Sequence, residues 1–537
     1  MTFKVHYENK TALLFFATTN FWCQGTFLKG NECISPENVL SEIESSSADE
    51  FLKNANGFFN LVFQNSGTLF AAVDCVRSLP LFYSVKNENF YISDSAQWIA
   101  ETTGRKEFDG LAQMEFKCTG YVTGEDTLIP EIKQIQAGEY IQVSENGGTF
   151  EIKKKNYFVF AHTEPAERLP ETDYMKQLDS AIDVCIDNLI KFAGGRQIVL
   201  PLSGGRDSRL IAMKLAERKY ENILCYTYGS ENNHESSVSR QVADALGLKW
   251  FFIKYDNDIP AFLYDSDTGR GYQRMAHNYV SLPHLQDMFA VYKLKESNIV
   301  DADSVFVPGH TGDFISGGHI PSITFMEGLN KNVLVGAVYG KHYSLTCNLP
   351  GKSVKNLRNR IQMELNPKDG LLSSVEFADS YEAWDWKNRQ AKFIVNSVRV
   401  YDFLGFSWWL PFWDRNFLEF WEKVPLKYRF ERVLYNGFVD SMSEKHGIPV
   451  CKKVRTKTYY AIRKIPFLRS LKKWRDSFFS KFAFYNRSLL EKKKSASFIK
   501  DSFTEDMIRN YCKYTNELNG LRIYFFLAGL KESKTCK

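Results

Sequence analysis

Ser203, Gly204, Gly205, Asp207 and Ser208 fall in 198-IVLPLSGGRDSRLIAMKLAE-217, where an apolar run hands over to an amphipathic one. Two hydroxyls, two glycines and a carboxylate at such a corner suit the binding of an anion through a metal. A helix N-terminus leaves backbone N–H groups unpaired and carries partial positive charge. Glycines let the backbone approach a phosphate without a Cβ in the way. An aspartate repels a phosphate unless a divalent cation lies between them. The competing reading is a strand–turn–helix corner whose serines and glycines bind nothing. The whole six-residue SGGRDS pattern in a strand-to-helix context favours the anion site.

The surrounding text supplies that context. Apolar periodicity predicts strands at 197–202, 222–228 and 250–255 and helices at 207–218 and 236–246. Leu178, Ile182, Cys185 and Leu189 recur three or four apart, one face of an earlier helix. Alternating strands and helices imply βαβ units and a parallel sheet, with the SGGRDS loop at its carboxyl edge. The first 160 residues read differently. Runs such as 13-LLFFAT-18, 57-GFFNLVF-63, 68-TLFAAV-73, 81-LFYSV-85 and 89-NFYIS-93 are β-prone and separated by turn residues. The polar stretch 161-AHTEPAERLPET-172 marks a boundary. The text beyond 370 is helical and aromatic-rich. Residues 452–500 hold 16 Lys and Arg against Asp476 and Glu491, a basic extension. The expected division is 1–165, 173–460 and 461–537.

A chain of 537 residues exceeds one comfortable core. Its net charge of +5 does not call for nucleic acid. Ten cysteines without a CxxC pair suggest neither a zinc ribbon nor a thioredoxin-type site. No signal peptide and no apolar run of bilayer length is seen, so a cytoplasmic location is expected.

The loop resembles the SGGxDS pyrophosphate loop of the ATP pyrophosphatases, and three further stretches resemble the asparagine synthetase branch. In 306-FVPGHTGDFISGGH-319, Gly309, Asp313, Gly317 and Gly318 match SGEGxDExxGGY. The segment 411-PFWDRNFLEFWEKVP-425 is similar to PFLDxxxxEFxxxxP, and Pro449, Arg455 and Lys457 have the spacing of LPxxIxxRxK. Asp74, Arg77, Pro80 and Tyr83, with 120-GYVTGEDTLIPEIKQIQAGEYIQV-143, resemble that family's glutaminase half. The resemblance covers nearly all of the chain to about 460 and is absent from the basic tail. It implies an N-terminal αββα domain of the Ntn-hydrolase type, then a doubly wound ATP pyrophosphatase domain. It implies ATP and magnesium. Ser203, Gly204, Gly205 and Ser208 would hold pyrophosphate, and Asp207 and Asp313 the metal. The backbone of Leu202, Tyr228 and Gly309 would face adenosine. Lys457 would neutralise the leaving group, unless that basic run is only a solvated face.

The departures matter as much. The glutamine-using members carry cysteine after the initiator Met; here Thr2 stands there. Nothing like their RGPD or NGEIYN clamps lies between Gly25 and Phe58. Glutaminase activity is therefore expected to be lost. Nitrogen would come from ammonium, from a separate amidase, or from an amine on the substrate, as in the β-lactam and lasso-peptide macrolactam synthetases. His310 replaces a glutamate that manages protons in the family, and either takes over that work or only hydrogen-bonds the loop. Arg206 replaces a usual Leu or Val. The expected chemistry is adenylation of a small-molecule carboxylate and transfer of ammonia or an amine to it. The wording of the motifs also resembles proteins of bacterial surface-polysaccharide clusters, which implies a uronic acid as the carboxylate. The mixed basic and aromatic text of 462–485 reads as a peripheral membrane contact or as a solvated face. A tRNA-modifying enzyme and a non-catalytic scaffold are the readings from other classes. No nucleic-acid partner is expected.

Overall fold

The computed structural model describes residues 2–9, 15–30, 32–231, 233–365, 367, 369–450, 483–497, 503–515 and 517–535. In the N-terminal region successive side chains along each strand point to opposite faces, so the central strands serve two cores. Thr149–Asn156, Glu139–Asn146, Thr68–Val73, Ala55–Asn65, Phe21–Lys29 and Phe15–Ala17 lie side by side in that order, antiparallel throughout. Glu32–Ile34 also pairs with Phe21–Lys29. A second sheet runs Thr2–His6, Asn89–Ser93, Phe82–Lys86, Lys133–Gln134. Val62, Leu69 and Ala71 of the first sheet meet Tyr83, Phe90 and Ile92 of the second. On the outer face of the first sheet, Phe27, Phe59 and Phe70 pack with Val39 and Phe51 from helices Pro36–Ser45 and Ala48–Asn54. Ile99 from helix Ala96–Thr103 covers Phe82 on the outer face of the second. The layers therefore run helix, sheet, sheet, helix.

Residues 157–170 hold no helix or strand. Helix Glu171–Ala193 follows, with Leu178, Ile182, Cys185 and Leu189 all buried, as their spacing predicts. A five-stranded parallel sheet comes next, in the order Lys249–Lys254, Ile223–Gly229, Ile198–Pro201, Val305–Phe306, Ser407–Trp408. From Ile198–Pro201 the chain first builds outward on one side and then on the other. The direction reverses between Ile198–Pro201 and Val305–Phe306, the place where open parallel sheets leave a crevice at their carboxyl ends. The last two strands are two residues each, too short for hydrophobic periodicity to reveal.

The two regions share one core. The Phe58 ring lies 5.4 Å from Trp408 and 4.9 Å from Trp409. Asp74 is fully buried and accepts backbone N–H bonds from Phe59, Val76 and Ser78, which shapes a tight turn. That turn presents the Cys75 carbonyl to the Trp386 indole N–H at 2.9 Å and the Ser78 carbonyl to Arg399 at 2.7 Å. Asp74, one of the residues in the glutaminase-like match, thus shapes the joint with the parallel-sheet region.

Helices Ala483–Ala496, Glu505–Tyr511 and Leu518–Thr535 end the described chain. Ile523, Phe526 and Leu527 pack on Ala112, Phe116 and Leu282. The basic and aromatic segment expected to touch a membrane lies mostly outside the described residues. No helix among the described residues is long and apolar enough to cross a membrane.

Removing the Phe58 ring opens a cavity beneath two indoles. Phe58→Ala is expected to destabilise the protein by about 3–5 kcal/mol, read by urea unfolding. Loss confined to the N-terminal region, with the indole fluorescence transition unmoved, would show that the joint carries no stability.

Candidate active site

The loop after Ile198–Pro201 closes on itself through side chains. Ser208 Oγ accepts the Ser203 N–H at 3.1 Å and lies 3.2 Å from Ser203 Oγ, which in turn accepts the Gly205 N–H at 3.1 Å. Helix Arg206–Glu217 begins there with Gly205 as N-cap. Glycine has no side chain to cap, so the first turn is turned to whatever occupies the crevice. Gly204 and Gly205 both have ordinary negative φ values, and a Cβ on Gly204 would only touch Val238 at 3.5 Å. Their contribution is room for a ligand, since the turn itself does not demand a left-handed residue.

Gly309 is different. A Cβ there would lie 2.5 Å from the Ser208 nitrogen and 2.8 Å from its Cα. The loop after Val305–Phe306 therefore rests backbone-to-backbone on the first turn of the helix, and only glycine permits it. This contact sets the two acids side by side. Asp207 Oδ2 accepts the Asp313 N–H at 3.0 Å, and Asp207 Oδ1 accepts the Tyr435 hydroxyl at 2.9 Å. Burial, and then the charge of Asp313, raise the Asp207 pKa above the usual carboxylate range. Burial works the same way on Asp313, but the nearby His319 ring and its charge, then Arg432 and Arg389, outweigh it and hold Asp313 low. His319 is itself gripped by the buried Asp385, 2.7 Å from its Nδ1, while its Nε2 stands 3.6 Å from Asp313 Oδ2.

These groups line a cavity of about 670 Å³ at the carboxyl edge of the sheet, with Ser203, Gly204, Gly205, Asp207, Ser208, Tyr228, Gly309, His310 and Asp313 all on its wall. Leu202 is not among them. Its side chain is buried, its N–H is donated to the Tyr226 carbonyl at 2.9 Å, and its carbonyl accepts from Thr227 Oγ1 at 2.5 Å. The ladder to the neighbouring strand takes the Leu202 N–H. Tyr228 does reach the wall, stacked on Tyr255 with centroids 5.2 Å apart. His310 Nε2 lies 3.1 Å from Ser397 Oγ, and burial lowers its pKa to about 4 rather than leaving it near 6.5, so it is neutral at pH 7. Arg206 is held bidentate by Asp440, at 2.8 Å through both nitrogens. Lys457 and Arg455 lie outside the described residues. Pro449, the start of that motif, offers its carbonyl to Arg209 of helix Arg206–Glu217 at 3.3 Å.

Thr2 lies at the exposed start of strand Thr2–His6, its N–H donated to the Glu88 carbonyl at 3.1 Å. The PFWD segment is buried in the core, where Asp414 caps helix Arg415–Trp421 and receives the Asn188 amide at 2.8 Å. Sequence reading missed Arg432, Asp440, His284, Asp287 and Tyr401, which folding brings to the wall, and Tyr435, which donates to Asp207. None of them belongs to a motif.

Asp207 and Asp313 can hold a divalent cation between protein and phosphate. Among the described residues no group of three or more His, Cys, Asp or Glu forms a metal cage. Two carboxylates completed by phosphate oxygens is the arrangement magnesium favours, because it keeps several non-protein ligands.

No family model matches the chain. It is similar to the microcin J25-processing protein McjC of Escherichia coli, 21% identical over 408 residues that span 75% of this chain and 73% of that protein. Among solved structures, the NH3-dependent NAD synthetase of Campylobacter jejuni aligns at 15% identity over 37% of this chain and 82% of that one, TM-score 0.20. An NMN synthetase from Francisella tularensis aligns at 16% identity over 28% of this chain and 59% of that one, TM-score 0.19. At such scores the strand order and loop contacts described above are what define the fold.

Gly309→Ala is expected to push the two loops apart and weaken binding of Mg·ATP by at least about tenfold, read by titration calorimetry. Gly204→Ala, whose Cβ has space, is expected to leave the melting temperature within a degree or so while still crowding the ligand. Equal loss of stability in both variants would mean that the Gly309 contact does not organise the site.

Proposed function

We propose that this protein is an ATP-dependent amide-forming ligase that adenylates a carboxylate and transfers ammonia or an amine to it. The observation that supports this best is the meeting of two loops at the reversal point of a parallel sheet, with Asp207 and Asp313 bridged by a backbone hydrogen bond. Magnesium, when bound there, would neutralise the charge that develops as pyrophosphate leaves. The first turn of helix Arg206–Glu217, with Ser203 and Ser208, binds and orients the phosphates. Arg432 adds a fixed positive charge at the same end of the cavity. Lys457 is proposed to join it. His310, neutral and hydrogen-bonded to Ser397, is proposed to accept the proton released as the amine attacks.

The similarity to a peptide-processing protein favours a second form of the same chemistry, in which acid and amine belong to one peptide substrate. The resemblance to polysaccharide-cluster proteins favours a uronic acid and free ammonium, or ammonia from a separate amidase.

ATP–pyrophosphate exchange over a panel of carboxylates tests the reading: aspartate, sugar-nucleotide uronic acids and peptides with acidic side chains, with and without ammonium. Exchange with one acid, and AMP release that waits for ammonium, is the expected result. AMP release without ammonium would assign the amine to the substrate. No exchange together with no binding of Mg·ATP would leave a scaffold. Asp207→Asn should lower exchange by about 10²–10³-fold, the size expected when one electrostatic stabiliser is removed. With saturating magnesium keeping Asp207 ionised, a rate that depends on His310 as base should drop only as pH nears its value of about 4; an acid limb near 6.5 would assign another group.

A further inference from the structure

A second cavity, of about 310 Å³, lies between the N-terminal region and the parallel-sheet region. Glu8, Asp94 and Gln97 wall it from one side, and Arg274, Arg399 and Asp402 from the other. Among the described residues it shares none with the cavity at the SGGRDS loop. Thr2 stands elsewhere too. It pairs with Asn89, whereas His6, at the far end of the same strand, pairs with Ser93 beside Asp94.

The charges on this wall do not all cancel. Arg274 holds Glu101 at 2.6 Å, and Arg399 holds Asp402 at 2.9 Å. Glu8 and Asp94 have no ion-pair partner among the described residues. They adjoin, because Asp94 Oδ1 accepts the Glu8 N–H at 2.8 Å while Oδ2 accepts the Asn9 N–H at 3.0 Å. An ionised carboxylate has about four acceptor sites, so both oxygens can take a further donor. Burial raises the Asp94 pKa against those two bonds, and the Glu8 charge raises it further, with His6 opposing.

Gln97 adds a neutral acceptor. The residue is 7% exposed. Its amide nitrogen donates to the Arg274 carbonyl at 2.6 Å, and since a carbonyl can only accept, the amide orientation is fixed. Its Oε1 meets no donor among the described residues, yet it is not one of the fully enclosed oxygens. A nearly buried side chain with an open acceptor on a cavity wall calls for a donor from a ligand. Pro80, Met275 and Phe403 give the same wall apolar surface. Among the described residues no group of three or more His, Cys, Asp or Glu is placed to hold a metal ion, which favours an organic cation.

We propose that this cavity binds a small aliphatic amine as its ammonium ion, with Glu8, Asp94 and the Gln97 oxygen as acceptors and Pro80, Met275 and Phe403 against its alkyl chain. The site stands apart from the ligase reading, whose substrates belong to the other cavity.

The test titrates n-butylammonium chloride into the full chain, followed by thermal melting, against potassium chloride at equal ionic strength and against n-butanol. Binding of Mg·α,β-methylene-ATP is measured separately by calorimetry. The expected result is a saturable stabilisation by n-butylammonium and none by n-butanol. Glu8 is exposed, and its side chain has no hydrogen bond or ion pair among the described residues, so its variants should fold. Affinity for n-butylammonium should fall about fivefold in Glu8→Gln, the upper range for one part-exposed charge pair, and the response should vanish in Glu8→Lys. Nucleotide affinity should stay unchanged in both. A wild type without a saturable n-butylammonium response overturns the proposal. So does an undiminished response in either variant, which would place the amine elsewhere, or an equal response to n-butanol, which would make the cavity merely apolar. Failure of the ligase reading looks different: the wild type would bind n-butylammonium but not the nucleotide analogue.

Discussion

The backbone of Gly309 lying on the first turn of helix Arg206–Glu217 is the contact on which the rest of the site depends. It brings together two loops that are about a hundred residues apart in the chain. Once they touch, the Asp313 N–H reaches Asp207, and two carboxylates must share a small, partly desolvated space. Like charges so placed repel. Arg432, Arg389 and the His319–Asp385 pair offset part of that repulsion.

The N-terminal region contributes through its joint with the parallel sheet. The turn organised by Asp74 hands carbonyls to Trp386 and Arg399. Arg399 is two residues from Ser397 and two from Tyr401, both on the cavity wall. A region expected to have lost its own activity therefore supports the floor of the other site. This gives a physical reason for the chain to keep some hundred and fifty residues of β-rich structure.

The cavity wall mixes charges of both signs: Arg206, Arg209 and Arg432 stand with Asp207, Asp313, Asp440 and Asp287. Burial lowers the pKa of His284 to about 3 and of His310 to about 4, so both rings are neutral at pH 7.

The SGGRDS loop, its strand and helix, and the Gly309–Asp313 stretch were legible in the sequence, because local rules govern them: apolar periodicity, glycine at close approaches, a helix start after a strand. So were strands Phe15–Ala17, Ala55–Asn65, Thr68–Val73, Phe82–Lys86 and Asn89–Ser93 and the buried face of helix Glu171–Ala193. What the sequence could not reveal was set by distance in the chain. Leu202 read as a nucleotide contact, yet pairing with the neighbouring strand takes its N–H. Asp287, Tyr401, Arg432 and Tyr435 carry no motif, because side chains from separate crossovers meet only once the sheet has ordered its strands. The length of Val305–Phe306 and Ser407–Trp408, two residues each, hid them from any periodicity. The sequence by itself determined which chemistry the loops could support. The tertiary structure decided which lone residues surround it, since burial and neighbouring charges are properties of the packed chain.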